Sequence, residues 1–268
     1  MQTSRTSPHK GKQMEHDLIT SGDGSTTLQL AHFKETYHSR NGAYTEAQHI
    51  YIQNGLEHLF STVICRTAAA SGCLNIFDIG FGTGLNCILA WVWQQQRRLQ
   101  DLPFPRICYY GIEKYPIQLL EIEQFNYNKV IAQHTGSSPD KLAEIFNQMH
   151  SCPWEENISI GNSSFILHKS CADITGLSPE YYKETKYPDN PALVLYDTFS
   201  PATQPELWDG GIFRSIATGC VSGTMLLTYC SKGTVKQSLR NAGFTIERLA
   251  GPPGKRHILR GTLQKLIL

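Results

Sequence analysis

Short apolar runs alternate with segments of helical periodicity along most of this chain. Between the runs, apolar residues recur three and four positions apart, as Leu85, Ile88, Leu89 and Val92 do. The runs that predict buried strands are 74–79, 107–112, 165–168, 192–196 and 224–229. Because such runs alternate with helices, we predict a doubly wound α/β fold, in which helices cover both faces of a mostly parallel sheet.

Turn signals predict an antiparallel pair at each end of the chain. Near the C-terminus, strands at 244–248 and 257–260 are joined by Gly251-Pro252-Pro253-Gly254. Near the N-terminus, runs at 18–20 and 27–30 flank the turn at 21–24, which predicts a hairpin. A helix is expected after this hairpin, and its predicted buried residues are Ile50, Leu56, Leu59, Phe60, Val63 and Ile64.

The length of 268 residues suits one domain with a small appendage. Residues 1–16 are polar and predict a disordered leader, and residues 17–70 are expected to form an N-terminal cap of hairpin and helix. We assign 71–268 to the main α/β domain and interpret 116–162 as a local helical elaboration within it.

Composition limits the classes of function. The formal net charge of +1 gives no general attraction to nucleic acid or to a membrane, so any polyanion needs a local basic patch. The eight cysteines never form a C-x-x-C pair, which favours buried free thiols over zinc ligands or disulfides. No segment reaches transmembrane length, and no apolar signal region follows the N-terminus. We expect a soluble cytoplasmic protein with no metal and no membrane partner.

The most informative motif is a glycine turn that follows the run 74–79 and opens a helix. Its G-x-G-x-G spacing is one residue tighter than that of dinucleotide enzymes, whose turn receives a pyrophosphate. This favours a nucleotide-like ligand without pyrophosphate, of which S-adenosylmethionine (AdoMet) is the common one, although a sharp turn without a ligand is the alternative. The predicted cofactor-binding residues of this segment are Asp78, Gly80, Phe81, Gly82, Thr83, Gly84 and Asn86.

Three acids follow other predicted strands, where a doubly wound sheet binds its ligand. Glu113 can accept hydrogen bonds from ribose hydroxyls, with a solvated strand-end acid as the alternative. Asp173 can accept from an adenine amino group, with a helix N-cap before Ile174 as the alternative. Asp197 is expected to face the reacting group, and Pro201 stiffens its loop.

Several runs match the pattern of one known family. The most specific is Asp197-x-Phe199-x-Pro201 followed by Pro205-Glu206-Leu207-Trp208 and Phe213. The other matching runs are Tyr37-His38-Ser39 with Gly42 and Glu46 before Ile50-Tyr51-Ile52, the glycine turn, Ile112-Glu113-Lys114, Asp173-Ile174 with Leu177, Ala242-Gly243-Phe244 and Gly254-Lys255-Arg256. Over roughly residues 17–262 the chain therefore resembles the tRNA 5-methylaminomethyl-2-thiouridine methyltransferases, whose activity occurs alone or as the N-terminal half of a bifunctional enzyme.

The resemblance implies a Rossmann-like AdoMet-dependent methyltransferase. AdoMet would lie over the glycine turn, with Glu113 and Lys114 at its ribose side, Asp173 at the adenine and Asp197 as the catalytic acid beside the methyl acceptor. The implied reaction converts 5-aminomethyl-(2-thio)uridine to 5-methylaminomethyl-(2-thio)uridine at the wobble position of tRNA. Without an oxidase half, no FAD is expected, and a separate FAD-dependent oxidase would be a partner in the pathway. The chain departs from the family at Ala172, where a glycine is usual, and around 251–254.

A tRNA substrate requires stacking and basic residues, because a wobble base splayed out of the anticodon loop is read by stacking and edge contacts. Trp208 has core packing as its alternative role, and the basic residues have solvated helix charges as theirs. The predicted substrate and tRNA contacts are Tyr37, Glu46, Phe199, Pro201, Trp208, Lys232, Lys236, Arg240, Lys255 and Arg256. Lys232, Lys236 and Arg240 share one face if their helix starts early.

Other functions stay open at this point. An aminopropyltransferase of the spermidine synthase type shares the glycine turn and the acidic strand ends, but its acidic pairs would line a polyamine site. A non-catalytic RNA-binding protein on the same fold is a second alternative, against which the retained Asp197 and Glu113 argue. An NAD-dependent dehydrogenase fits the glycine spacing less well.

Overall fold

The structure is a computed structural model that describes residues 16–30, 35–62 and 73–264. It begins with an antiparallel hairpin of β1 (His16–Thr20) and β2 (Thr26–Leu30). A continuous helical segment follows, made of α1 (Ala43–Ala47), a π-helix (Gln48–Glu57) and α2 (His58–Ser61).

The N-terminal region is described only in part, which limits the outcome for the predicted leader and the predicted helix. Of the predicted leader only His16 is described. It begins β1 and pairs with Leu30, and its ring bonds to Glu121 at 2.8 Å and to the hydroxyl of Tyr37 at 3.2 Å. Residues 1–15, and the predicted helix residues Val63 and Ile64, lie outside the described residues. The division of the chain into leader, cap and main domain stays a prediction.

The central sheet has eight strands in the order β5-β6-β4-β3-β7-β8-β10-β9. Their bounds are β3 (Cys73–Ile79), β4 (Arg106–Glu113), β5 (Asn157–Ser159), β6 (Phe165–Cys171), β7 (Ala192–Tyr196), β8 (Met225–Thr228), β9 (Phe244–Ala250) and β10 (His257–Leu263). Strands β6, β4, β3, β7 and β8 are parallel to their neighbours in that series, and β9 pairs antiparallel with β10. This confirms the Rossmann-like, mostly parallel sheet with a C-terminal antiparallel pair.

The segment 116–162 is more than the helical elaboration that its sequence predicts. Besides helices it contains β5, which pairs antiparallel with β6 at the sheet edge. Three residues are too few to show the period-two alternation of a strand, so the sequence pattern did not reveal β5. The helices of the main domain are α3 (Leu85–Leu99), α4 (Leu119–Ile122), α5 (Tyr127–Thr135), α6 (Pro139–Ser151), α7 (Pro179–Lys183), α8 (Gly210–Gly219) and α9 (Gly233–Asn241).

Alternate strand residues supply two separate cores. Ile76 and Tyr109 belong to the core on the face that α3 and α6 cover, whereas Phe77 and Tyr110 belong to the core on the face that α8 covers. Burial of these apolar side chains on both faces fixes the strand register. As a result, the loops that follow β3, β4, β6 and β7 emerge at one edge of the sheet.

The described cysteines agree with the expected thiols except at one position. Buried free thiols are Cys73, Cys87, Cys108, Cys152 and Cys230. Cys171 is exposed at the end of β6, Cys220 is buried, and Cys65 lies outside the described residues.

Candidate active site

A cleft of about 580 Å³ lies beyond the carboxyl ends of β3, β4, β6 and β7. This is the position at which a doubly wound sheet binds its ligand. The cleft is closed on its other side by residues that follow the N-terminal hairpin and by the turn between β9 and β10. The predicted site residues that line it are Tyr37, Glu46, Gly80, Gly82, Glu113, Lys114, Asp173, Asp197, Phe199 and Lys255.

The glycine turn after β3 forms one wall of the cleft. The amides of Gly80 and Phe81 both donate to the carbonyl of Ile112 at 3.0 Å, which ties the turn to the end of β4. Gly80 has φ of 90°, and a Cβ at this position would lie 2.7 Å from the carbonyl oxygen of Asp197. Glycine is therefore required here both by conformation and by space, and the turn leaves an open cradle at the strand end.

Glu113 stands directly beside this cradle. Its Oε2 accepts from the amide of Gly82 at 3.0 Å, and its Oε1 accepts from the amide of Tyr115 at 2.9 Å. Burial raises the pKa of Glu113, and hydrogen bonds from the backbone amides partly offset that rise. A fixed acceptor carboxylate next to the glycine turn is suited to the paired hydroxyls of a ribose.

Asp173 caps a short helix and also lies in the cleft lining. Its carboxylate accepts from the amide and the hydroxyl of Thr175 at 2.9 and 2.7 Å, so it caps the short 3₁₀ helix Ile174–Gly176. It also lines the cleft and pairs with the Lys114 ammonium at 2.7 Å. Although burial opposes the change, hydrogen bonds from Lys114 and Thr175 lower the pKa of Asp173. The contact with adenine stays a prediction.

Asp197 follows β7 and lies where the glycine turn meets the rest of the cleft. Its amide donates to the carbonyl of Ile79 at 3.0 Å, and its Oδ2 accepts from the side-chain amide of Asn86 at 2.9 Å. Burial raises the pKa of Asp197, and Asn86, Tyr51 and Lys255 partly offset that rise. A carboxylate held in this way can accept a hydrogen bond from a group that enters the cleft.

Beyond Asp197 the cleft is built from distant parts of the chain. Glu46 of α1 pairs with Lys255, which lies in the turn between β9 and β10. The Lys255 ammonium also lies 4.6 Å from the centroid of the Tyr229 ring, whose hydroxyl donates to the carbonyl of Thr198 at 2.9 Å. We call this part of the cleft, lined by Tyr37, Glu46, Asp197, Phe199, Tyr229 and Lys255, the acceptor end.

Some predicted cofactor residues support the turn and do not face the cleft. Asp78 is fully buried and accepts from the hydroxyl of Tyr109 at 2.6 Å. Thr83 is bonded by the Nε2 of His38 at 2.7 Å and by the hydroxyl of Tyr127 at 3.0 Å. The residues that are absent from the described lining are Asp78, Phe81, Thr83, Gly84 and Asn86. These five residues are buried in β3, in the glycine turn and at the start of α3, and their contact with a cofactor stays a prediction.

The Trp208 ring is 6% exposed and donates from Nε1 to the carbonyl of Phe199 at 2.8 Å. This favours core packing over base stacking. Lys232 precedes α9 and therefore does not extend the helical row of Lys236 and Arg240. Among the described residues, the lysines and arginines that line the cleft are Lys114 and Lys255. The predicted tRNA contacts that are absent from this lining include Pro201, Lys232, Lys236, Arg240 and Arg256.

Known proteins resemble this chain. The model of a family described as S-adenosyl-L-methionine-dependent methyltransferase matches residues 156–264. The tRNA 5-methylaminomethyl-2-thiouridine biosynthesis bifunctional protein MnmC of Idiomarina loihiensis is 28% identical over 232 residues, which cover 85% of this chain and 36% of that protein. MnmC of Nitrosospira multiformis is 28% identical over 238 residues, covering 88% of this chain and 35% of that protein. The chain is similar to MnmC proteins over most of its length, and these similarities indicate an AdoMet-dependent methyltransferase.

A solved structure agrees with the fold of this chain. The crystal structure of MNMC2 from Aquifex aeolicus superposes with a TM-score of 0.64 at 22% identity, covering 96% of this chain and 73% of that chain. At this identity the likeness establishes the Rossmann-like fold. The chain spans about a third of the length of the curated relatives it matches.

Sequence reasoning missed several groups at the acceptor end of the cleft. Glu35 accepts from the amide of Ser200 at 2.8 Å and from its hydroxyl at 3.1 Å, which ties the Asp197 loop to the residues after the hairpin. Tyr51 is buried, and burial and the Asp197 carboxylate raise the pKa of its hydroxyl. Tyr229 lines the cleft under Lys255. Their positions depend on tertiary contacts that no local motif reports.

Among the helices within residues 16–30, 35–62 and 73–264, none is long and apolar enough to cross a bilayer.

Proposed function

We propose that this chain transfers a methyl group from AdoMet to the primary amine of 5-aminomethyl-(2-thio)uridine at the wobble position of tRNA. The product is 5-methylaminomethyl-(2-thio)uridine. The observation that carries the proposal is the half-buried Asp197 carboxylate, which lies between the glycine cradle and an acceptor end lined by acids and aromatic rings. The names of the relatives refer to the biosynthesis of this nucleoside in tRNA, which supports the proposed choice of substrate.

The cleft fits AdoMet on its own chemistry. A Cβ would fill the cradle at Gly80, and Glu113 presents a fixed acceptor beside it. We assign Gly80 and Gly82 to the close approach of the cofactor, Glu113 to its ribose and Asp173 to its adenine side. When bound, AdoMet supplies an electrophilic methyl group on its sulfonium.

The chain has to deal with the charge of the acceptor amine. An alkylamine titrates near pH 10, so about one molecule in a thousand is neutral at pH 7. We assign Asp197 the role of accepting a hydrogen bond from the neutral amine, which aims the nitrogen lone pair at the methyl carbon. After the proton has left to solvent, the N–C bond forms as the S–C bond breaks, and Asp197 stabilises the ammonium charge that develops.

The aromatic groups of the acceptor end suit a base that has left the anticodon stack. The Tyr37 and Phe199 rings meet edge to face with centroids 5.0 Å apart and line the cleft. Unstacked bases in RNA are commonly read by aromatic stacking and by hydrogen bonds to their edges. We therefore assign Tyr37 and Phe199 to the contact with the wobble base.

The experiment is incubation of the protein with methyl-labelled AdoMet and tRNA that carries 5-aminomethyluridine at the wobble position, followed by nucleoside analysis. Label in 5-methylaminomethyluridine, absent with tRNA that has unmodified uridine there, supports the proposal. A parallel reaction with decarboxylated AdoMet tests the aminopropyltransferase alternative. Aminopropyl transfer, or no label in the wobble nucleoside when AdoMet binding is demonstrated by calorimetry, would overturn the proposed function.

A further inference from the structure

The ion pair of Glu46 and Lys255 is an unusual feature of the acceptor end. Glu46 is 7% exposed, and its partner comes from a turn 209 positions away in the sequence. Burial raises the pKa of Glu46, and the Lys255 ammonium opposes that rise. A buried ion pair contributes little to stability on average, because its desolvation offsets the attraction. Its place in the cleft lining points to a use in binding.

The pair lies next to the residue that holds the amine in the proposed reaction. Lys255 and Glu46 both interact electrostatically with Asp197, and all three side chains line one cleft. Lys255 contacts the Tyr229 ring, and the hydroxyl of Tyr229 donates to Thr198, the residue after Asp197. A base attached to an amine at Asp197 by a single carbon must therefore come close to this pair.

The order of groups on uracil matches the order of groups in the pair. In 5-aminomethyluracil the ring carbon next to the substituted C5 carries the O4 acceptor, and the N3–H donor follows. An ammonium has three donors and a carboxylate has two acceptor oxygens. The ion pair uses the Oε2 of Glu46 and one donor of Lys255. The Lys255 donor and the Glu46 acceptor therefore lie side by side, in the order that matches the O4 acceptor and the N3–H donor of the base.

We propose that Lys255 and Glu46 read the uracil edge of the substrate, Lys255 by donating to O4 and Glu46 by accepting from N3–H. The inference rests on the proposed function, since it needs a 5-aminomethyl base at Asp197. Cytosine reverses the pattern, with an amino donor at C4 and an unprotonated N3, so each of its groups meets a like partner. Neither residue is assigned to position C2, and 2-oxo and 2-thio substrates are expected to react alike.

The test uses RNA stem-loops that carry 5-aminomethyluridine or its N3-methyl derivative at the same loop position. For the unaltered protein, N3-methylation should lower kcat/KM for methyl transfer about tenfold to a hundredfold, the value of one well-made base contact. Equal kcat/KM for the two RNAs would overturn the edge reading and leave the proposed function intact. No methyl transfer to the N3–H substrate at all would refute the proposed function, and this inference with it.

A variant series separates recognition from a structural role of the pair. In Glu46→Ala the N3-methyl penalty should disappear, because no carboxylate is left to lose its partner, even if overall activity falls. Glu206→Ala is the matched control, since Glu206 is an exposed acid that lines the same cleft. It should keep the full penalty. A penalty that survives in Glu46→Ala, with AdoMet binding retained, would show that another group reads N3 and would overturn the inference.

Discussion

The two ends of the cleft are built in different ways. At the cofactor end, Gly80 and Gly82 belong to one strand-turn-helix segment, and Glu113 ends the neighbouring strand. At the acceptor end, the contacts join residues far apart in sequence, as in the pairs Glu46–Lys255 and Glu35–Ser200, which are 209 and 165 positions apart. The cofactor end therefore depends on local backbone geometry. The acceptor end depends on how the N-terminal region packs against the C-terminal hairpin, which is formed by β9 and β10 at one edge of the sheet.

From this difference we infer that the two functions of the cleft, cofactor binding and methyl transfer to the acceptor, can be changed separately. Changes at the glycine turn and Glu113 should act on AdoMet affinity, and changes at the acceptor end should act on methyl transfer to the amine. Asp197 is the junction, because its backbone packs on Gly80 and its carboxylate faces the acceptor end.

The largest effect is expected for Asp197→Asn. The amide keeps the shape and the contact with Asn86, but it loses the charge to which we assign the orientation of the amine and the stabilisation of the product ammonium. We expect kcat for methyl transfer to fall by about 10²-fold or more, in the range found for oriented acid-base and electrostatic groups. AdoMet affinity should change little. Single-turnover methylation and calorimetric titration with AdoMet measure the two quantities.

Asp209→Asn is the matched control for this change. Asp209 is an exposed helix cap, whose side chain accepts from the amide of Gly211 at 2.6 Å, and asparagine caps equally well. Its kcat should equal that of the unaltered protein. If Asp197→Asn leaves kcat unchanged, Asp197 has no part in the mechanism, and the proposed separation of the two ends of the cleft fails.

A second prediction concerns the cofactor end. Glu113→Gln replaces the carboxylate that accepts from Gly82 and Tyr115 by a group with one acceptor oxygen. Because hydrogen bonds to a charged group are worth about 1.5–3 kcal/mol, the Kd for AdoMet should rise about tenfold to a hundredfold. The value of kcat at saturating AdoMet should fall much less. Equilibrium titration and steady-state kinetics provide both numbers.

Glu123→Gln is a suitable control for Glu113→Gln, since Glu123 is exposed and is not part of the described cleft lining. If Glu113→Gln instead leaves the AdoMet Kd unchanged and raises KM for the RNA, Glu113 serves the acceptor and the division between the ends is wrong.

The same contrast explains what could be predicted from the sequence. The strand Cys73–Ile79, the glycine turn and Glu113 were predictable, because apolar runs and glycine spacing are local signals. The mostly parallel sheet was predictable from the alternation of strands and helices, whereas β5 was missed because it is too short. The Glu46–Lys255 pair was not predictable from spacing, because only docking of distant elements brings it together. The runs that match the family pattern contain both Glu46 and Lys255, but they do not indicate that the two side chains pair.

A third prediction tests whether docking of the C-terminal hairpin positions the acceptor end. A Cβ at Gly251 would overlap the backbone carbonyl oxygen of Lys255, so Gly251→Ala must displace the turn that carries this lysine. We expect kcat/KM for the RNA to fall about tenfold, since small misplacements of positioning groups have large kinetic effects. AdoMet affinity should stay the same. Gly233→Ala is the control, because a Cβ there meets nothing within 4 Å.

The outcome of Gly251→Ala is informative in either direction. If RNA kinetics do not change while the melting temperature falls, the turn is a structural element and Lys255 does not reach the substrate. If AdoMet affinity falls together with RNA turnover, the hairpin supports both ends of the cleft and the proposed separation fails.

The smallest effect is a pH dependence of stability that comes from two histidines bonded to Thr83. The Nε2 of His38 bonds to the Thr83 hydroxyl at 2.7 Å from the acceptor side, and the Nε2 of His150 donates to its carbonyl at 3.1 Å from the cofactor side. Burial lowers the pKa of His38 from 6.5 to about 4 and that of His150 from 6.5 to about 3. Below pH 6.5 the unfolded chain thus binds protons that the folded chain excludes.

It follows that the free energy of unfolding falls as the pH is lowered from 6.5, by up to about 1.4 kcal/mol per pH unit for each histidine. Chemical denaturation between about pH 5 and pH 6.5 avoids most carboxylate titration. His150→Gln should show a shallower slope than the unaltered protein, because glutamine keeps a donor for the Thr83 carbonyl and takes up no proton when the chain unfolds. Equal slopes would mean that His150 is protonated in the folded state. In that case a protonated His150 would still donate to the Thr83 carbonyl, and burial would not keep this histidine neutral in the folded chain.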